Sequence, residues 1–93
     1  MEKQYNLTAF VDGGPAVFLR LAGVLTKRRL DTDELSFLRH AGGNYRFTAV
    51  VRTDSKTINT VVKQVRRVIE VVDAYAVELK EPENVYEFQS NAA

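Results

Sequence analysis

The chain has 93 residues, 45% of them hydrophobic and 27% charged, which suits one compact domain and leaves little room for a deep catalytic cleft. Thirteen basic residues stand against twelve acidic ones, and the resulting charge of +1 supplies no global attraction to nucleic acid or to an anionic membrane. With no cysteine and a single histidine, the composition excludes a disulfide framework, a thiolate metal site and a zinc site built from histidines.

Tyr5, Leu7, Ala9 and Val11 alternate with Asn6, Thr8, Phe10 and Asp12, the period of a strand with two different faces. Gly13-Gly14 then frees the backbone, and Pro15 suits the first position of a helix, where a missing N–H costs nothing. Val17, Phe18, Leu21, Val24 and Leu25 recur at helical spacing, and Lys27-Arg28-Arg29 crowd the end where the helix dipole favours cations.

Asp31 to Leu38 is expected to form a strand anchored by Leu35, Phe37 and Leu38, despite its three acids. His40-Ala41-Gly42-Gly43-Asn44 carries the glycines of a turn, after which Tyr45, Phe47, Ala49 and Val51 alternate with Arg46, Thr48 and Arg52 as the second arm of a hairpin. Asp54 or Ser55 suits the cap of a second helix, in which Ile58, Val61, Val62, Val65, Val68 and Ile69 make one apolar stripe. Val71 to Leu79 returns to a strand pattern. Lys80-Glu81-Pro82-Glu83-Asn84 breaks it, and Val85 to Phe88 is a candidate short extra strand in a loose tail.

The order βαββαβ, with right-handed crossovers, predicts an α+β ferredoxin-like sandwich: a four-stranded antiparallel sheet with two helices on one face. The domain is expected over residues 1–80, and 81–93 form a C-terminal tail. Apolar residues on the uncovered face, such as Phe10 and Val50, predict a homodimer or another protein partner. No apolar run approaches the roughly 20 residues of a membrane span. Met1-Glu2-Lys3-Gln4 lacks the apolar segment of a signal peptide, so the cytoplasm is the expected location.

This fold hosts many functions, so individual residues must discriminate. Asn44-Tyr45-Arg46-Phe47-Thr48 only faintly echoes an RNA-binding strand, and the glycine-aromatic spacing of that motif is missing. An acylphosphate-hydrolysing loop would need an arginine at the glycine turn, whereas Arg20 falls inside the first helix. His40 sits in the predicted turn with no evident carboxylate to orient it, and Asp31, Asp33 and Glu34 lack the spacing of a calcium loop. Those acids are expected to lie solvated on a strand edge, offsetting Lys27, Arg28 and Arg29. No catalytic, cofactor-binding or metal-ligating residue is assigned.

Gly13-Gly14-Pro15-Ala16-Val17, followed by Ala22-Gly23-Val24-Leu25-Thr26-Lys27-Arg28-Arg29-Leu30-Asp31, resembles the first strand-to-helix unit of ACT domains. More narrowly it resembles the small regulatory subunit of acetohydroxyacid synthase (acetolactate synthase), in its short, single-ACT form. Val62-Lys63-Gln64-Val65 through Val71-Val72-Asp73-Ala74-Tyr75-Ala76-Val77 resembles the second helix and last strand of that family, so the likeness runs from about Tyr5 to Leu79. It implies a non-catalytic subunit of branched-chain amino acid biosynthesis. Such a subunit dimerises side by side and binds and activates a large catalytic subunit, which would itself hold thiamine diphosphate, Mg and FAD.

The resemblance also implies an effector site for a branched-chain amino acid, usually valine. Backbone amides of Gly13, Gly14 and Ala16 would hold its carboxylate and Asp12 its ammonium group, with Pro15 in the turn and Asp31 and Thr32 contributed by the neighbouring subunit. The family turn reads Asn or Asp, any residue, Pro, Gly. Here either Ala16 or Pro15 stands where its glycine belongs, so the effector site is expected to be degenerate. The alternative implied role is a free-standing amino-acid sensor acting on another enzyme.

Overall fold

In the computed structural model, which describes residues 2–40 and 42–80, the period-two segments are strands and the period-3.6 segments helices. Their order is β1 (Lys3–Val11), α1 (Pro15–Lys27), β2 (Asp31–Arg39), β3 (Tyr45–Thr53), α2 (Ser55–Arg66) and β4 (Val71–Leu79). The strands lie side by side as β2-β3-β1-β4 with every neighbouring pair antiparallel, the ferredoxin-like arrangement. The candidate strand at Val85 to Phe88 and the tail 81–93 lie outside the described residues.

Alternation decides which face is buried. Leu7, Ala9 and Val11 of β1 and Phe47, Ala49 and Val51 of β3 are fully buried on one face, together with Val17, Leu21 and Leu25 of α1 and Ile58, Val61 and Val65 of α2. Withdrawing each large aliphatic side chain from water contributes about 1.5–3 kcal/mol. Phe18 of α1 meets Phe37 of β2 and Phe47 of β3 at centroid distances of 5.3 and 5.9 Å, so α1 lies over the β2–β3 side. Arg66 Nε donates to Ala74 O at 2.9 Å and ties α2 to β4.

Among the described residues the other face carries no helix. Phe10 and Val50, expected to be exposed there, are half-buried, and the Phe10 ring rests 5.3 Å from that of His40. Among the described residues, Leu38, Tyr75 and Val77 are large apolar side chains that this face exposes.

Two expectations need correction. Ile69 does not extend the apolar stripe of α2: the helix stops at Arg66, and the chain leaves through Val68 N to Val65 O and Val71 N to Val68 O bonds. That tight exit turns Ile69 outward, 94% exposed. Nor does Asp33 offset the cations of α1. A register shift between Thr32 and Glu34 accompanies its turn toward β3 and β1, where it accepts from Arg52 Nε at 2.8 Å and Gln4 Nε2 at 2.9 Å.

The two helices have unlike ends. Asp54 caps α2, accepting from Thr57 N at 2.7 Å, and this bond holds its carboxyl below the usual aspartate range. No side chain among the described residues caps α1. At its far end Arg29 N donates to Thr26 O and Leu30 N to Leu25 O, a Schellman pair that places Arg29 at φ 54°, a position where glycine is usual.

Charge is segregated as well. Arg20, Lys27, Arg28 and Arg29 lie on α1 and its closing turn, and Lys56, Lys63, Arg66 and Arg67 on α2 and its closing turn. No carboxylate occurs in residues 15–29 or 55–67. Among the described residues no helix is long and apolar enough to cross a membrane.

Candidate functional site

The turn from β1 into α1 is pinned from below. Asp12 N donates to Glu70 O at 2.9 Å, joining this turn to the one that follows α2. Gly13 has φ 126°, and a Cβ added there would lie 2.8 Å from Val17 Cγ2, so backbone and packing both demand glycine. Gly14 differs: its φ of −113° suits any residue, and nothing lies within 4 Å of an added Cβ.

Pro15 brings no N–H, and Val17 N is taken by Gly14 O at 3.0 Å. Among the described residues the amides of Gly13, Gly14 and Ala16 have no hydrogen-bond partner. They precede or open a helix of thirteen residues whose dipole favours an anion at this end. Asp12, Gly13, Pro15 and Ala16 are exposed and Gly14 is half-buried, so the turn is open to a solute.

Beside it stands a pair that sequence reasoning missed. Arg20 Nη2 donates to Glu70 Oε2, and the guanidinium holds the Glu70 carboxyl below the usual glutamate range. Glu70 Oε1 is buried and has no hydrogen-bond partner among the described residues. The residues are fifty positions apart, and only two faint signals mark them: Glu70 is the sole acid between Asp54 and Asp73, and Arg20 the sole charge inside α1 before Lys27.

Asp31 and Thr32 are not brought to this turn within one chain. They pair with Arg52 and Val51, which in turn pair with Gln4 and Tyr5 at the start of β1. Asp12 follows the other end of that strand, roughly 25 Å away by strand rise. Thr32 instead borders a cleft of about 430 Å³ between α1 and β2, lined also by Leu25, Leu30 and Leu35.

His40 stands at the hairpin, its N donating to Asn44 O at 2.6 Å, and its ring meets Phe10 with no carboxylate partner among the described residues. Gly42 and Gly43, at φ 95° and 97°, let the hairpin reverse. Among the described residues no three His, Cys, Asp or Glu side chains gather as a metal site.

The fold is that of ACT domains. The ACT domain of a GTP pyrophosphokinase from Chlorobium tepidum superposes with a TM-score of 0.72 at 10% identity, over 83% of this chain and all of that one. An uncharacterised protein of Thermotoga maritima gives 0.71 at 18% identity, over 86% of this chain and all of that one. The small subunit of acetolactate synthase from Thermotoga maritima gives 0.69 at 20% identity, over 88% of this chain and half of that one. No protein-family model matches the chain, and no curated protein matches it by sequence.

Proposed function

We propose that this chain is a non-catalytic regulatory subunit of acetohydroxyacid synthase that binds and activates a thiamine-diphosphate-dependent catalytic subunit. The observation that carries this reading is the combination of an ACT fold with the Ala22-to-Asp31 and Val62-to-Val77 runs that resemble this subunit type. The likeness to the Thermotoga subunit supports the same choice. Thiamine diphosphate, Mg and FAD belong to the catalytic partner, and the chain itself performs no chemistry.

The active form is a homodimer joined through β2, which among the described residues has β3 on one side only. Antiparallel pairing of two β2 edges about Leu35 brings the Asp31 end of each copy beside the Arg39 end of the other, so opposite charges lie near each other on either side of the two-fold axis. The same operation carries Asp31 of the partner subunit and Thr32 of the partner subunit toward the end of the sheet that holds Gly13. A branched-chain amino acid then places its carboxylate on the Gly13, Gly14 and Ala16 amides and its ammonium group near Asp12. Pro15 withholds one amide from this site, and the methyl of Ala16 limits close approach.

The test is to mix the chain with the catalytic subunit encoded in the same genome and follow acetolactate formation. A higher rate together with co-elution is the expected result. If the chain neither associates nor changes the rate, the proposal fails, and the free-standing sensor is then judged by calorimetry against valine, leucine and isoleucine.

A further inference from the structure

The net charge of +1 conceals a strongly cationic helix layer. Helix dipoles favour the cations at the two C-terminal ends, Lys27 and Arg28 of α1 and Lys63, Arg66 and Arg67 of α2, but do not account for the whole pattern. They favour carboxylates in first turns, yet neither helix has one, and α2 places Lys56 there, where a cation is disfavoured. Lys63 and Arg67, the C-cap of α2, stand four apart, a like-charge spacing at the end of the helix that works against it. Solubility alone is served by interspersed signs.

The cations converge on a groove. Val24, Lys27, Arg28, Gln64 and Arg67 line a cleft of about 270 Å³ between the two antiparallel helices. Gln64 Oε1 accepts from Arg28 Nε at 3.3 Å and steers the guanidinium over it. Lys27, Arg28 and Arg67 make no ion pair among the described residues, unlike Arg20 on Glu70. Three exposed cations around an apolar and amide floor form an anion-seeking surface with nothing in the described fold to neutralise it.

We propose that this inter-helical groove docks an acidic protein surface, and, resting on the function proposed above, that the surface belongs to the catalytic subunit. Protein is favoured over nucleic acid on three grounds. Phe18, the one aromatic of either helix, faces Phe37 and Phe47 rather than solvent, so no ring is offered to stack on bases. The floor of Val24 and Gln64 suits side chains better than a phosphate backbone. The charge of the whole chain, only +1, supplies no wider attraction to a duplex extending beyond the groove.

The experiment compares the intact chain with a Lys27→Glu/Arg28→Glu/Arg67→Glu variant and with Arg46→Glu, a single reversal on the open sheet face, after circular dichroism verifies folding. Should the triple variant not fold, Lys27→Gln/Arg67→Gln takes its place. Calorimetric titration with the catalytic subunit is expected to show at least about tenfold weaker binding for the groove variant, little change for Arg46→Glu, and weakening of the wild type between about 50 and 300 mM salt. Equal binding by groove variant and wild type overturns the groove while leaving the proposed function standing.

If the wild type ignores the catalytic subunit, the proposed function fails, and the groove is judged with a polyglutamate peptide as probe. Low-salt binding that the groove variant loses supports an acidic protein partner. No binding, or binding that the variant retains, overturns it. Tighter binding of a DNA duplex than of the peptide, lost in the same variant, replaces protein with nucleic acid and also overturns it.

Discussion

The helices α1 and α2 are nearly equal in length and share one core, but they are finished differently. The first turn of α2 is closed by its own Asp54 side chain, and its last turn leaves by short backbone bonds without a residue at positive φ. At α1, the N-terminus is left to Gly14 and Pro15 with no side-chain cap, and the exit holds an arginine at φ 54°. A cap residue and a glycine would have been better for α1 itself. The better-finished helix is closed by its own side chain, whereas the other leaves first-turn amides without a partner among the described residues.

The largest expected effect lies at the entrance to α1. Gly13→Ala forces a Cβ into Val17 at an unfavourable φ and is expected to lower stability by about 2–3 kcal/mol in urea denaturation. A loss below about half a kcal/mol would mean that the turn relaxes freely and that its glycine is not structural. The opposite sign is expected at the exit. Arg29→Gly relieves the left-handed backbone and raises stability by about 1 kcal/mol, which separates the strain of this residue from whatever its charge contributes to binding.

At α2, Asp54→Ala removes the cap and is expected to lower Tm by roughly 5 °C at neutral pH. The pH dependence has a definite sign. Because the folded carboxyl titrates below its unfolded value of about 3.9, the cap's contribution is fully present above that value and disappears as pH falls through the lower folded pKa. Wild type and variant therefore converge in strong acid. An equal gap in Tm at pH 7 and pH 2 would count against a charged cap.

Short-range pattern made most of this legible. The alternation of β1 and β3 and the stripe from Ile58 to Val65 lead directly to the buried residues, because a half-buried strand and an amphipathic helix leave periods that no partner needs to explain. What escaped was long-range or local in another way. Asp33 turns to Arg52 and Gln4, and Arg20 reaches Glu70, through pairings that only the assembled sheet and helix layer create. Ile69 looked like a further turn of α2 because its spacing is right. Its exposure follows from hydrogen bonds that end the helix three residues earlier. At the candidate site, Gly13-Gly14 reads as one permissive pair in sequence, whereas the structure gives the two glycines different tasks: Gly13 is fixed by φ and packing, and Gly14 by neither.

That difference makes Gly14 the position where α1 is most readily made to resemble α2. Gly14→Ser places a capping hydroxyl at a residue whose φ already suits it and whose surroundings offer no clash. The expected gain in stability is only a few tenths of a kcal/mol, since glycine is itself a tolerable cap. The informative result is the effect on a ligand. Once the serine oxygen accepts from the first-turn amide of Ala16 or Val17, the amides on which the proposed effector carboxylate would rest are occupied or screened, and valine binding by calorimetry is expected to weaken at least about tenfold. If the wild type binds valine and Gly14→Ser binds it equally well while stability rises, the helix end is an ordinary terminus and the effector sits elsewhere.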